Sequence, residues 1–141
     1  MLRSIAAVLV GFVLIGALSF GADLVLRQAM PGAFDAAGRV ESTAVLLLMM
    51  GYVGLFAVTG CYLTARLAPR RPMLHALVLG ALGLAFTAIN TFAVFWDTAP
   101  AWYHVASLAL VMPYAWIGGR LREVELERNS AEAAEGVAHP A

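Results

Sequence analysis

The sequence predicts an all-α fold: a transmembrane four-helix bundle with both ends in the cytoplasm. Three observations lead there. Four apolar stretches, at about 2–26, 43–65, 73–95 and 101–118, fill most of the chain. A helix rises about 1.5 Å per residue, so roughly 20 apolar residues cross a hydrocarbon core about 30 Å thick. Of the 141 residues 62% are hydrophobic and only 13% charged, too little polar surface to coat a soluble domain of this length. The basic residues, all arginine, also alternate in position between the stretches.

The first stretch starts at Leu2. Arg3, the apolar run Ile5 to Leu18 and the triplet Ala17-Leu18-Ser19 imitate a secretion signal. The run continues to Leu26, however, so an uncleaved first helix is expected. The connection from Gln28 to Ser42 holds Pro31, Gly32 and Gly38 and reads as irregular, with a short helical turn near Phe34 to Ala37. Ser42 or Thr43 is placed to cap the second helix. The turn Ala68-Pro69-Arg70-Arg71-Pro72 is short, and its prolines stop one helix and start the next, making the second and third helices antiparallel neighbours. Asp97-Thr98-Ala99-Pro100 does the same for the third and fourth helices, with Asp97 or Thr98 as cap. Pro113 removes one backbone hydrogen bond inside the fourth helix and favours a kink. Residues 122–141 form a Glu-rich cytoplasmic tail, expected to be partly disordered beyond about Asn129.

Orientation follows from the arginines, which collect on the cytoplasmic side of short loops. With the N-terminus inside, Arg3, Arg66, Arg70, Arg71, Arg120, Arg122 and Arg128 are all cytoplasmic, and only Arg27 and Arg39 lie outside. Arg66, Arg70, Arg71 and Arg120 are then expected to meet lipid headgroups of the inner leaflet. A lysine-free composition rich in Arg, Ala, Gly and Leu points to a bacterial cytoplasmic (inner) membrane. The chain carries no basic stripe, so no nucleic-acid partner is expected.

Small residues mark expected helix contacts: Gly11, Gly16, Ala17 and Gly21 in the first helix, Gly51, Gly54, Ala57, Gly60 and Cys61 in the second, and Gly80, Ala81, Gly83, Ala85 and Ala88 in the third. Cys61, the single cysteine, is expected to be buried and inert. Tyr62-Leu63-Thr64-Ala65-Arg66-Leu67 parallels Trp116-Ile117-Gly118-Gly119-Arg120-Leu121. Two repeated helical hairpins would produce this likeness. So would the ordinary interfacial aromatic and arginine at the end of any membrane helix.

Polar groups inside apolar stretches carry the functional expectations, because each is costly there. Asp23 stands one turn before Arg27, an i, i+4 pair suited to an ion pair. Asn90 is expected to hydrogen-bond across helices. Trp96, Trp102 and Tyr103 read as an interfacial aromatic belt, with His104 an interfacial histidine beside them. Asp23, Asn90, Asp97 and His104 all fall toward the outer leaflet and together form a candidate polar pocket. Asp97 and His104 alone are too few for a specific metal site, so no metal or other cofactor is expected. HExxH, paired-cysteine, phosphate-loop and GxSxG motifs are all missing, and His75 and His104 lie at opposite faces, unsuited to haem.

The stretches Tyr62 to Leu77, Pro100 to His104 and Pro113 to Leu121 resemble those of small four-span bacterial inner-membrane proteins. That resemblance implies a four-helix membrane fold and no activity. The leading functional expectation is a non-enzymatic membrane protein in the lipid bilayer, acting by homo-oligomerisation or as an accessory subunit of a membrane complex. The alternative is an oligomeric transporter or channel built on Asp23, Asn90 and His104. A third reading is a lipid-directed enzyme using Asp97 and His104.

Overall fold

The computed structural model describes residues 2–138. Four long helices form an all-α bundle: α1 (Leu2–Ala29), α2 (Thr43–Leu67), α3 (Pro72–Asn90) and α4 (Ala101–Ala138). A π-helical turn, Thr91–Phe95, and a 3-10 turn, Trp96–Thr98, extend α3 without a break. Leu2–Ala29, Thr43–Leu67 and Pro72–Thr98 are long and apolar enough to cross a membrane. The first part of α4 is diluted by His104, Ser107, Pro113 and Tyr114, and the helix is absent from that set.

The connections obey their local chemistry. Pro72 opens α3 behind Arg71, which takes a left-handed conformation (φ 51°). The Arg71 carbonyl accepts from the His75 ring Nδ1 at 3.1 Å. Ser42 precedes α2 as expected, although its side chain makes no capping bond. In the 30–42 connection the helical turn falls at Pro31–Ala33, not at Phe34 to Ala37. The reason is Asp35: its carboxylate accepts backbone N–H bonds from Ala37 and Arg39, both 2.8 Å, and Gly38 closes the loop at φ 78°. Thr98 does not cap α4; its hydroxyl donates to the Phe95 carbonyl at 2.7 Å.

Both the 30–42 connection and the 96–100 turn lie at one end of the bundle, the two-loop end, and Val40 N–H donates to the Thr98 carbonyl at 2.9 Å to join them. A cluster of Leu26, Val40, Val45 and Leu46 packs beneath that junction. Toward the other end, Val8, Cys61, Ala65, Ala76, Leu79 and Ala115 form a second core. Much of the remaining apolar surface faces outward, as in Val13, Leu55, Ile89 and Val105.

Small residues set the helix spacing. Gly11 of α1 and Gly60 of α2 lie backbone against backbone, so that a Cβ on Gly11 would sit 2.9 Å from the Gly60 carbonyl oxygen and one on Gly60 3.2 Å from that of Gly11. Beside this crossing the buried Thr64 hydroxyl donates to the Ala7 carbonyl at 3.2 Å. Gly54 receives the Tyr114 ring, and Gly80 receives Ala115. Gly16, Gly21 and Gly51, expected to share these faces, have open space around them. α1 packs on α2, and α4 on both α2 and α3, while α1 and α4 make next to no contact. The two hairpins are therefore not packed as equivalent units.

The tail departs from expectation. Residues 122–138, expected to be irregular in part, continue α4; residues 139–141 lie outside the described residues. Pairs one turn apart brace the extension: Arg120–Glu123 at 3.2 Å, Arg122–Glu125 at 2.7 Å and Arg128–Glu132 at 3.7 Å. The Tyr62 hydroxyl of α2 donates to Glu125 at 2.7 Å. That hydrogen bond, helped by Arg122, holds the Glu125 carboxyl below its ordinary pKa. A depressed folded value stabilises the contact above the unfolded pKa, and the contribution is lost as pH falls through the folded value. Tyr62→Phe is therefore expected to move the Glu125 titration upward, toward an ordinary glutamate, in a carbon-13 NMR pH series. An unchanged titration would show that the hydroxyl does not bind the carboxylate.

Candidate functional site

The two-loop end of the bundle encloses a cavity of about 520 Å³. All four helices and both connections line it. Three of the four polar residues singled out in the sequence meet there: Asp23 from α1, Asn90 from α3 and His104 from α4. Asp97 does not. It sits exposed in the 3-10 turn, outside the lining, and is removed from the candidate pocket.

Asp23 is half-buried, and the Tyr52 hydroxyl of α2 donates to its Oδ1. The expected ion pair with Arg27 is not formed: among the described residues every ion pair within 4.0 Å lies on α4. The 30–42 connection explains this. It folds back over the α1 end and lays the Phe34 ring 4.6 Å from the Arg27 guanidinium, a cation–π contact that draws the side chain away from Asp23. Arg27 still borders the cavity beside Gly38.

Asn90 also departs from expectation. Its amide donates to the Phe86 carbonyl of its own helix at 2.8 Å rather than across helices. The reason is local: a carbonyl one turn back is within reach of a short amide side chain. The amide oxygen keeps its acceptor capacity.

His104 is not at the interface but buried, with 4% exposure. Its Nε2 donates to the Trp96 carbonyl at 3.2 Å, and its ring stacks on Trp96 with centroids 5.4 Å apart. Phe92 stacks on the other side of this column, 5.3 Å from Trp96. The π-helical turn makes this possible by adding a residue to the turn, so that Thr91 is buried at the cavity wall while Phe92 and Trp96 carry exposed faces. Trp96 and Trp102 stay exposed, as an aromatic belt requires.

Thr87, Ser107 and Tyr103 complete the polar wall and were not singled out as one set. A smaller cavity of about 120 Å³ shares Val53, Thr87, Tyr103 and Ser107 with the first and reaches deeper, to Cys61 and Leu79. Beyond it the bundle is closed by Ala76, Leu79 and Ala115, all with at most 1% exposure. Together the two make a blind chamber at the two-loop end, partly open above and closed below at the depth of Ala76, Leu79 and Ala115.

At the opposite end Arg66, Arg70, Arg71 and Arg120 are exposed. Arg120 is engaged by Glu123 and Glu127, at 3.2 and 3.4 Å. Among the described residues no group of three or more His, Cys, Asp or Glu side chains converges as a metal site would require. No family model matches this chain, and neither a curated protein nor a solved structure does.

Proposed function

We propose that the chain is an integral protein of the bacterial cytoplasmic membrane that crosses it four times, keeps both ends in the cytoplasm, and binds a small polar or amphiphilic ligand in its outer half. The observation that carries this reading is the blind chamber, where polar side chains from three helices face one space. The fourth crossing is supported by packing. α4 runs beside α2 and α3 over the depth of the bundle, from the His104–Trp96 stack to the Gly118–Cys61 contact. Its diluting residues include His104 and Tyr114, which turn inward, so the polarity counted against it is spent inside the bundle. The N-in, C-in orientation rests on the exposed arginines at the end opposite the chamber.

The chamber also bears on the alternatives. A through-path in one subunit is disfavoured by the closed core below it. Self-association was motivated by the small-residue sets, and Gly11, Gly54, Gly60 and Gly80 are occupied within the bundle. We assign the chamber a binding role and no reaction.

Cysteines placed at Ala37 and Ser107, in a Cys61→Ala background, test this in intact cells with a membrane-impermeant cationic methanethiosulfonate. Both are expected to react from outside, Ala37→Cys at the rim and Ser107→Cys within the chamber. Failure at both would overturn the orientation. Reaction at Ala37→Cys alone would overturn the open chamber.

A further inference from the structure

Asp23 and Arg27 are opposite charges one helical turn apart, bordering one cavity, and they do not neutralise each other. Among the described residues Asp23 accepts only the Tyr52 hydroxyl, and Arg27 rests on Phe34. A carboxylate has about four acceptor sites and a guanidinium five donors, so both keep capacity for a further partner. An i, i+4 pair left apart at a cavity mouth is complementary to a ligand carrying its own two charges. Their backbone positions stand about 6 Å apart along the helix, and their charged atoms lie more than 4.0 Å apart. A compact zwitterion, an ammonium and an oxyanion joined through a short linker, offers one charge to each side chain. The rim is also two-faced. Arg27 and Ala37 are exposed on the loop side, while the exposed rings of Phe86 and Phe95 border the cavity on the bundle's outer surface.

Building on the ligand-chamber reading, we propose that the chamber binds a zwitterion of the phosphoethanolamine type, its ammonium on Asp23 and its phosphate on Arg27. The charges could belong to a lipid headgroup or to a free solute, and Phe86 and Phe95 offer an apolar surface to a lipid chain. Charge-assisted contacts on both sides give the site its selectivity: a ligand with only one charge leaves the other side chain unserved.

The full-length protein in neutral detergent tests this by thermal shift and native mass spectrometry. The probes are phosphatidylethanolamine, soluble phosphoethanolamine, phosphatidylglycerol and ethanolamine. Phosphatidylethanolamine is expected to bind at least about ten-fold more tightly than phosphatidylglycerol, the loss expected for one charge-assisted contact. Binding of soluble phosphoethanolamine as well identifies the headgroup as sufficient; binding of the lipid alone identifies an amphiphile, and either outcome supports the site. Asp23→Asn keeps the shape of the Tyr52 contact and removes the charge, and Arg27→Gln removes the cation; each is expected to weaken binding about ten-fold. Equal binding of phosphatidylglycerol, no binding of either zwitterion, or binding indifferent to both substitutions would overturn the proposal. If Ser107→Cys remains reactive from outside in that case, the chamber stands and only the ligand class falls.

Discussion

Gly11→Ala is expected to destabilise the protein by about 2–3 kcal/mol, although it adds a single methyl group. Gly16→Ala, on the same helix, is expected to stabilise it by up to about 1 kcal/mol. The difference lies entirely in what the new methyl meets. At Gly16 there is nothing within 4 Å, so alanine only reduces the backbone freedom lost on helix formation. At Gly11 the methyl collides with the Thr64 hydroxyl, and approaches Leu79 Cδ2 at 2.8 Å and the Gly60 carbonyl oxygen at 2.9 Å. The Thr64 hydroxyl cannot rotate away without losing the Ala7 carbonyl, its buried partner. The Gly60 carbonyl cannot move without shifting α2. In a bilayer, helices gain no hydrophobic advantage by leaving lipid, so close backbone approach and interhelical hydrogen bonds carry the association. The α1–α2 crossing loses both at once. Reversible unfolding in mixed micelles measures the two substitutions side by side. Adding Thr64→Ala to Gly11→Ala removes one of the three obstacles and is expected to recover only part of the loss. Equal effects of Gly11→Ala and Gly16→Ala would show that α1 and α2 do not cross at glycine. A change in oligomer size from Gly16→Ala would return self-association to the leading place.

The same contrast shows how much of the molecule was legible. Apolar length marked α1, α2 and α3, and proline placement marked the turns, because both effects are local; apolar length did not show that α4 continues past 118 to Ala138. Polar residues within apolar runs pointed to Asp23, Asn90 and His104, and the three meet in one cavity. The partners of those residues were not legible. The Asp23–Arg27 pair obeys helix spacing, but Phe34 reaches Arg27 from a connection that packs on Leu26 and Leu46 and is tied to Thr98 through Val40, contacts between distant segments. Tyr52 was visible in principle: in an antiparallel hairpin it lies near the depth of Asp23. Asp97 had the right depth and the wrong direction, since depth along a helix does not specify which way a side chain in a 3-10 turn faces. The small-residue sets show the same limit. Composition marked Gly11 and Gly16 equally, and only the crossing point separates them.

Gly118→Ala, a position read in the sequence only as part of an end-of-helix pattern, is expected to cost about 2–3 kcal/mol, while its neighbour Gly119→Ala costs about 1 kcal/mol. Both glycines are buried at the sealed end of the bundle, where α4 meets α2 and α3. A methyl at Gly118 meets the Val58 carbonyl oxygen at 2.6 Å, Cys61 Cβ at 2.7 Å and the Tyr62 amide nitrogen at 2.9 Å. Two of these three are backbone atoms of α2, and no side-chain rotamer relieves them. A methyl at Gly119 meets the Met73 sulfur at 2.7 Å and Ala76 Cβ at 3.1 Å. The methionine side chain is unbranched and can swing aside. Because α4 at this depth also carries the wall below the chamber, separation from α2 at Gly118 is expected to open the seal around Cys61. The thiol then reports directly: Cys61, 2% exposed in the native protein, is expected to react with a small maleimide many times faster in Gly118→Ala, and at the native rate in Gly119→Ala. Equal rates in the two variants would mean that the α2–α4 contact is not what closes the chamber from below.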